Sequence, residues 1–399
     1  MDVLAALQRK PSLNLFPIEN RLSPRAAAAL ATDAVNRYPY SETPVAVYGD
    51  VTGLNAVYDY CVDLTKEFYG ARHAFVQFLS GLHTMHTVLT AVTPRAGRVM
   101  VLAPENGGHY ATVTICESFG YEVGFLPFDR ERLQIDHAAL AAHVAEHPVD
   151  VIYLDASTTL RFPDAQALRS AAPAATICLD ASHLLGLLAA APGTLLLDGG
   201  FDSISGSTHK TLPGPQKGLL VTNSDGLAEK VAARIPFTAS SSHSATVASL
   251  AITLEELLPH RADYARQVIA NARRLGEELA RRGFDLPGES FGYTDTHQVW
   301  LHMPESSGTH AWGRLLTSAD IRTTTVVLPS NARPGLRLGT QELTRWGMKE
   351  DDMAAVAELL ARLLLRSEDS RKVAADVGDL AREFPGVAYV GQPVPVAAA

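Results

Sequence analysis

Short apolar runs alternate with amphipathic stretches through the first two-thirds of this chain. Runs at 74–78, 99–102, 122–126, 151–154, 176–179, 203–205 and 218–222 have the length of strands. Helical patterns centre near residues 85, 112, 140 and 168 between them. Strand and helix in alternation predict an α/β fold built on a mostly parallel, doubly wound sheet. Upstream, Val57, Cys61, Leu64 and Phe68 mark one face of a helix over 55–68, and Ser23-Pro24 supplies the N-cap and first turn of a helix over 26–35. Pro11, Pro17 and Pro24 break any longer helix before that, so residues 1–25 read as an N-terminal arm.

Downstream, a helical pattern runs from 246 to 282 and stops at Gly283. It leads into candidate strands at 299–303, 323–327 and 336–339 and a helix over 350–366. The expected organisation is therefore the arm, a large domain over 26–265 and a smaller C-terminal α/β domain over 266–399, with a loose tail from residue 388.

Composition narrows the class. The chain has 399 residues, 47% hydrophobic and 19% charged, with a net charge of −9, as in a globular enzyme with a large core. The acidic balance and the lack of any Lys/Arg run argue against nucleic acid as a partner. The start has no basic segment followed by an apolar one, and the Leu/Ala-rich stretch over 184–197 is too short to cross a bilayer. Cys61, Cys116 and Cys178 stand apart in apolar contexts and read as buried thiols. The expectation is a cytoplasmic protein with no membrane partner.

The chemistry concentrates in Ser205-Gly206-Ser207-Thr208-His209-Lys210-Thr211-Leu212-Pro213-Gly214-Pro215. A lysine held after small hydroxyl residues and before a Gly-Pro turn suits a Schiff base with pyridoxal phosphate: small neighbours let the backbone approach the ring, and hydroxyls can bond its phosphate. About thirty residues earlier, an apolar run ends in Asp180-Ala181-Ser182-His183. A carboxylate there can hold the pyridine nitrogen protonated and make the ring an electron sink. Set against this, most lysines are solvated, and an aspartate after a strand is often only a turn residue; the pair together favours chemistry. No G-x-G-x-x-G, Walker A or G-x-S-x-G pattern occurs. His83-x-x-His86 has metal-ligand spacing but no evident third ligand, so no metal is expected.

Several motifs, in order, make the chain resemble the serine hydroxymethyltransferases and other fold type I pyridoxal-phosphate enzymes over most of its length. Ser207 to Pro215 resembles the family's lysine segment, and Asp180-x-x-His183 its Asp-x-Ala-His. Gly107-Gly108-His109 resembles a Gly-Gly-His whose histidine lies over the cofactor; Ser80-Gly81 resembles the phosphate-binding Ser-Gly; Gly335-Leu336-Arg337-Leu338-Gly339-Thr340 resembles the segment whose arginine clamps the substrate carboxylate. Ile18-Glu19-Asn20 is similar to the N-terminal Ser-Glu-Asn, and Tyr38 and Tyr48 to tyrosines lining the site. The resemblance implies Lys210, Glu19, His109 and Tyr48 as catalytic residues. It implies Lys210, Asp180, His183, Ser80, Gly81, His109, Ser157, Ser207, His209, Tyr38, Ser240 and Ser241 around the cofactor. Arg337, Glu19, Tyr48 and Tyr40 would face the substrate. It also implies a homodimer with shared sites.

The departures cluster on the side where the family holds folate. Tyr40 stands where the family has a glutamate, and Val47 precedes Tyr48 where the family has a tyrosine that stacks on folate. Ser240-Ser241 replaces a Gly-Gly pair given to the partner's phosphate, Leu82 a phosphate-binding serine, and Gln216 an arginine. The loop before Gly335 is shorter than the family's. The reading that follows is cleavage or formation of the Cα–Cβ bond of a β-hydroxy-α-amino acid without folate. That is a threonine aldolase or a transaldolase passing a glycine carbanion to an aldehyde acceptor. Racemisation or α-alkylation by α-proton exchange, folate-dependent hydroxymethyl transfer, and a non-catalytic cofactor-binding homologue are the alternatives.

Overall fold

In the computed structural model the described residues are 10–39, 41–43, 46–49, 53–191, 197–239, 241–304 and 311–390. In chain order they form β1 (Leu13–Asn14), α1 (Pro24–Ala29), α2 (Leu54–Tyr69), β2 (His73–Phe75), α3 (Gly81–Val92), β3 (Arg98–Val101), α4 (Thr112–Ser118), β4 (Glu122–Phe125), α5 (His137–Glu146), β5 (Val151–Leu154), α6 (Ala165–Ala171), β6 (Thr176–Asp180), β7 (Ser203–Ser207) and β8 (Gly218–Thr222). There follow α7 (Asp225–Thr238), α8 (Ser244–Leu257), α9 (Arg261–Arg281), β9 (Gln298–His302), α10 (Ala311–Ser318), β10 (Ile321–Arg322), β11 (Thr324–Leu328), β12 (Arg333–Gly339), α11 (Gln341–Trp346), α12 (Met353–Leu364) and α13 (Ser370–Glu383).

All seven apolar runs of the first part are strands of one sheet, in the order β2-β8-β7-β6-β5-β3-β4. Only β8 runs against its neighbours β7 and β2; the other pairings are parallel. Ile152, Leu154, Ile177 and Leu179 meet one apolar cluster, while Val151, Tyr153 and Cys178 meet another on the opposite face. Burial on both faces is why these runs are apolar throughout rather than alternating.

The second sheet, β9-β12-β11, is antiparallel. The N-terminal segment shares the apolar core of this sheet. Strand β1 pairs in parallel with β10, and Leu13 and Leu15 are fully buried with Leu336, Leu338 and Trp346. The long helical pattern divides at Pro259: a 3-10 turn, Leu258–His260, separates α8 from α9. Proline has no N–H to donate and its ring crowds the carbonyl four residues back, so one straight helix cannot pass through it. Residue 265 falls within α9, whose stripe of Tyr264, Ala265 and Val268 packs in the first core and Ala272, Leu275 and Leu279 in the second. One helix thus ties both cores together. The helix from Ser23 is shorter than its pattern, ending at Ala29, where the Thr32 hydroxyl takes the Ala29 carbonyl. Ala388 and Tyr389 are not loose, because Arg345 Nη1 donates to both carbonyls. The three cysteines are buried free thiols, and no helix among the described residues is long and apolar enough to cross a membrane.

Truncating Leu15 tests whether the arm is structural. Leu15→Ala is expected to cost about 2–5 kcal/mol in denaturant unfolding followed by tryptophan fluorescence, as for a filled core position. A loosely applied arm would lose less than about 0.5 kcal/mol.

Candidate active site

The site forms at the C-terminal ends of β5, β6 and β7, where open α/β sheets hold ligands. Register places Asp180 beside Ser205. The chain after β7 folds back on itself: Thr208 N–H bonds the Lys217 carbonyl at 2.9 Å, Gly214 N–H the Thr208 carbonyl at 2.8 Å, and Thr208 Oγ1 the Pro215 carbonyl at 2.6 Å. The Thr208 hydroxyl is thereby committed inside the loop. From outside, Asn20 Nδ2 donates to the Lys210 carbonyl at 2.7 Å and Tyr264 Oη to the Thr211 carbonyl at 2.8 Å. The backbone that carries Lys210 is therefore fixed by both the arm and α9.

Helix α3 points its N-terminus at the same place. Ser80 is its N-cap, its Oγ accepting from His83 N–H at 3.1 Å, which leaves the Gly81 and Leu82 N–H groups for an anion. Gly81 is held where a Cβ would lie 2.3 Å from Ser207 Oγ, and a Cβ on Gly206 would lie 2.5 Å from Ser182 N. Ser182 Oγ accepts from Ser207 N–H at 2.8 Å and lies 3.2 Å from Ser207 Oγ. Three backbone segments thus meet with no room for a side chain at Gly81 or Gly206.

Asp180 receives Ser182 N–H on Oδ1 at 2.9 Å and Tyr153 Oη on Oδ2 at 3.3 Å. His183 is buried and stacks on His297, with ring centroids 5.6 Å apart. Arg337 is buried on β12; its Nη1 donates to the Ser157 carbonyl at 2.8 Å and to Thr158 Oγ1 at 2.9 Å. Its Nε is sealed with no acceptor among the described residues. Nη2, which is not among the sealed atoms and has no hydrogen-bond partner among the described residues, is the nitrogen that a carboxylate can reach.

Burial sets the charges. It lowers the Lys210 ammonium to about 8, with Asp180 opposing and Arg337 adding to the shift. It lowers His209 to about 4, helped by Lys210, and His297 to about 3. His183 lies well below the usual histidine range, and His109 is lowered by burial, opposed by Asp180 and assisted by Lys210 and Arg337. The imidazoles are thus neutral at physiological pH.

The structure brings Lys210, Asp180, His183, His109, Arg337, Ser207, Ser80 and Gly81 to one end of the sheet. Ser157 is there too, engaged through its carbonyl. His209 immediately precedes Lys210 and is half-buried, its Nδ1 without a partner among the described residues. Glu19 is turned elsewhere: its carboxylate pairs with Arg322 Nη2 at 2.7 Å and accepts from Asn14 Nδ2 at 3.0 Å. Tyr38 is 57% exposed, and Ser241 is half-buried in the segment entering α8. Tyr40 and Ser240 lie outside the described residues, as does the Tyr48 side chain. Three residues were missed. Asp155 ends an apolar strand as Asp180 does, a pattern that would have revealed it; it is buried, accepts from Thr112 Oγ1 and from His109 N–H, and is raised well above the carboxylate range by burial. His297 and Gln298, polar and fully buried at the head of an apolar strand, are the others.

A phosphate-bearing aldehyde such as pyridoxal phosphate fits this arrangement. There is a poised amine, a carboxylate at the sheet end, a helix N-terminus, and a cradle that any Cβ at Gly81 or Gly206 would fill.

Comparison with known proteins agrees. A family model described as serine hydroxymethyltransferase matches residues 5–360. The chain is 34% identical over 390 residues to a serine hydroxymethyltransferase of Methanopyrus kandleri, covering 95% of this chain and 91% of that one. It is 33% identical over 398 residues to a fluorothreonine transaldolase of Streptantibioticus cattleyicolor, covering 96% of this chain and 62% of the larger relative. The fold matches the crystal structure of L-threonine transaldolase from Pseudomonas fluorescens in its internal aldimine state, with a TM-score of 0.89 and 30% identity over 95% of this chain and 90% of that one.

Uptake of pyridoxal phosphate by cofactor-free protein is expected to accelerate with rising pH through a midpoint of about 8, because the ammonium form is not nucleophilic. A solvated lysine would give about 10.4. Borohydride reduction followed by peptide mass spectrometry should leave a pyridoxyl group on Lys210, and none in Lys210→Ala.

Proposed function

Because this chain belongs to the serine hydroxymethyltransferase family and is a pyridoxal-phosphate enzyme, we propose that it breaks and remakes the Cα–Cβ bond of β-hydroxy-α-amino acids without folate, as a threonine aldolase or transaldolase. The observation that carries this reading is the folate side of the site. Strands β11 and β12 are joined by the tight turn 329–332, where the family's longer loop reaches folate. Val47, in the place of the stacking tyrosine, is 63% exposed. The transaldolases among its relatives and structural neighbours support the same choice.

Each residue then has a task. Arg337 Nη2 takes the α-carboxylate and so fixes which bond at Cα stands ready to break. Lys210 would hold the cofactor, and its amine, lowered to about 8 by burial, would be able to take or give a proton beside Cα. Asp180 keeps an acceptor at the end of β6. When bound, pyridoxal phosphate supplies the sink for the electron pair left on Cα as the Cα–Cβ bond breaks. His109, neutral at physiological pH, takes the β-hydroxyl proton as acetaldehyde leaves threonine, and returns it to the oxygen of the aldehyde that adds in its place. Tyr38, Tyr48 and Ser240-Ser241 serve the site of a second copy in a homodimer, which accounts for an exposed Tyr38.

Incubation with L-threonine and a second aldehyde, without folate, tests this by mass spectrometry. Acetaldehyde and a new β-hydroxy-α-amino acid are expected. Exchange of the α-hydrogen in deuterated water with no aldehyde released would replace the proposal with racemisation. Arg337→Lys should lower kcat/KM about 10–100-fold, mostly through KM, since one ammonium cannot both hold Ser157 and Thr158 and reach the carboxylate as two guanidinium nitrogens do, and a charged hydrogen bond is worth about 1.5–3 kcal/mol.

A further inference from the structure

Gln298 opens strand β9 and is fully buried. Its amide is the junction of four hydrogen bonds. The oxygen Oε1 accepts from the Thr159 backbone N–H at 3.3 Å and from Trp300 Nε1–H at 3.1 Å. Both partners are obligate donors, so that end of the amide must be the oxygen. The opposite end is then the NH2 group. It reaches the Ser157 carbonyl at 3.0 Å, an obligate acceptor, and His183 Nδ1 at 3.2 Å. Every donor and acceptor of the amide is matched in this orientation, and turning it over would oppose like groups at Thr159, Trp300 and Ser157, the three contacts whose roles are fixed.

An NH2 group can only donate, so His183 Nδ1 must accept and carries no proton. Burial beside Lys210, Arg337, His297 and His109 keeps the ring neutral, so its one proton is on Nε2. Nε2 has no protein acceptor and is not among the sealed polar atoms of the described residues. We infer that Gln298 is a positioning residue that fixes His183 as the Nε2–H tautomer, a hydrogen-bond donor toward the bound cofactor. The same amide holds the Ser157 carbonyl that anchors Arg337 Nη1. One side chain therefore sets both the donor beside the cofactor and the seat of the carboxylate clamp. His297 supports the ring on its face; its own tautomer is set in the same way, Nε2–H donating to the Pro17 carbonyl at 3.1 Å. The use of the donor rests on the cofactor reading above, whereas the tautomer is a property of the protein alone.

The test is the nitrogen-15 spectrum of imidazole-labelled holoenzyme, with the His183 pair assigned by its loss in His183→Asn. In the wild type His183 should show an unprotonated Nδ1 and a protonated Nε2. Gln298→Glu replaces the NH2 donor with an acceptor while keeping an oxygen for Thr159 and Trp300. It should place a proton on Nδ1, either exchanging the two resonance types or giving an imidazolium. A wild-type His183 protonated at Nδ1, or a Gln298→Glu spectrum that keeps Nδ1 bare, would overturn the inference. Should that variant not fold, the wild-type spectrum decides alone. A failed transaldolase assay leaves these resonances unchanged, so the two proposals fail separately.

Discussion

The structure depends on one steric constraint: the backbones at the ends of β6 and β7 and at the start of α3 approach so closely that glycine alone fits at two of the four positions. Gly81 and Gly206 fill them, and the Ser182 hydroxyl bridges to Ser207 across the gap. A Cβ at Gly206 would lie 2.5 Å from Ser182 N and one at Gly81 2.9 Å from Ser207 N, backbone contacts that no side-chain rotation relieves. The approach brings a helix N-terminus, a sheet-end carboxylate and the lysine loop into one small volume. Gly186 continues the same packing on the far side of the loop, where a Cβ would meet the Thr211 carbonyl at 2.3 Å.

On that frame the charges are unbalanced by design of the sequence. Lys210 and Arg337 are cations with lowered pKa values, both through burial. Four imidazoles around them are neutral for the same reason, and Asp155 is driven toward its protonated form. Desolvated cations of this kind cost free energy until an anion arrives. A phosphate at α3 and a carboxylate at Arg337 are the anions that the geometry accommodates. Binding free energy and active-site electrostatics are in this sense one quantity, and the neutrality of His109 and His183 leaves them free to accept or donate a proton in the reaction.

Much of the fold was legible because burial on both faces writes itself into the sequence as continuous apolar runs, from 151–154 through 218–222. Strand direction was not: nothing in Gly218 to Thr222 shows that this strand runs antiparallel. Pro259 carried a visible signal for a break that the helical pattern around it masked. Within the site, Lys210, Asp180 and Arg337 were legible as motifs. Gln298 was not, because its function lies in which of its atoms face which partners, and those partners, Thr159, Ser157 and His183, come from segments more than a hundred residues away. Glu19 shows the converse: a motif match whose side chain is drawn off by Arg322, a cation that only the pairing of β1 with β10 brings near.

Cα–Cβ chemistry without folate is the function proposed for this site. The most direct measurement is the rate of formaldehyde release or transfer from L-serine with and without tetrahydrofolate. The expected rate is one that tetrahydrofolate leaves unchanged at every concentration. A saturable acceleration by tetrahydrofolate would contradict it and make the protein a folate-dependent hydroxymethyltransferase.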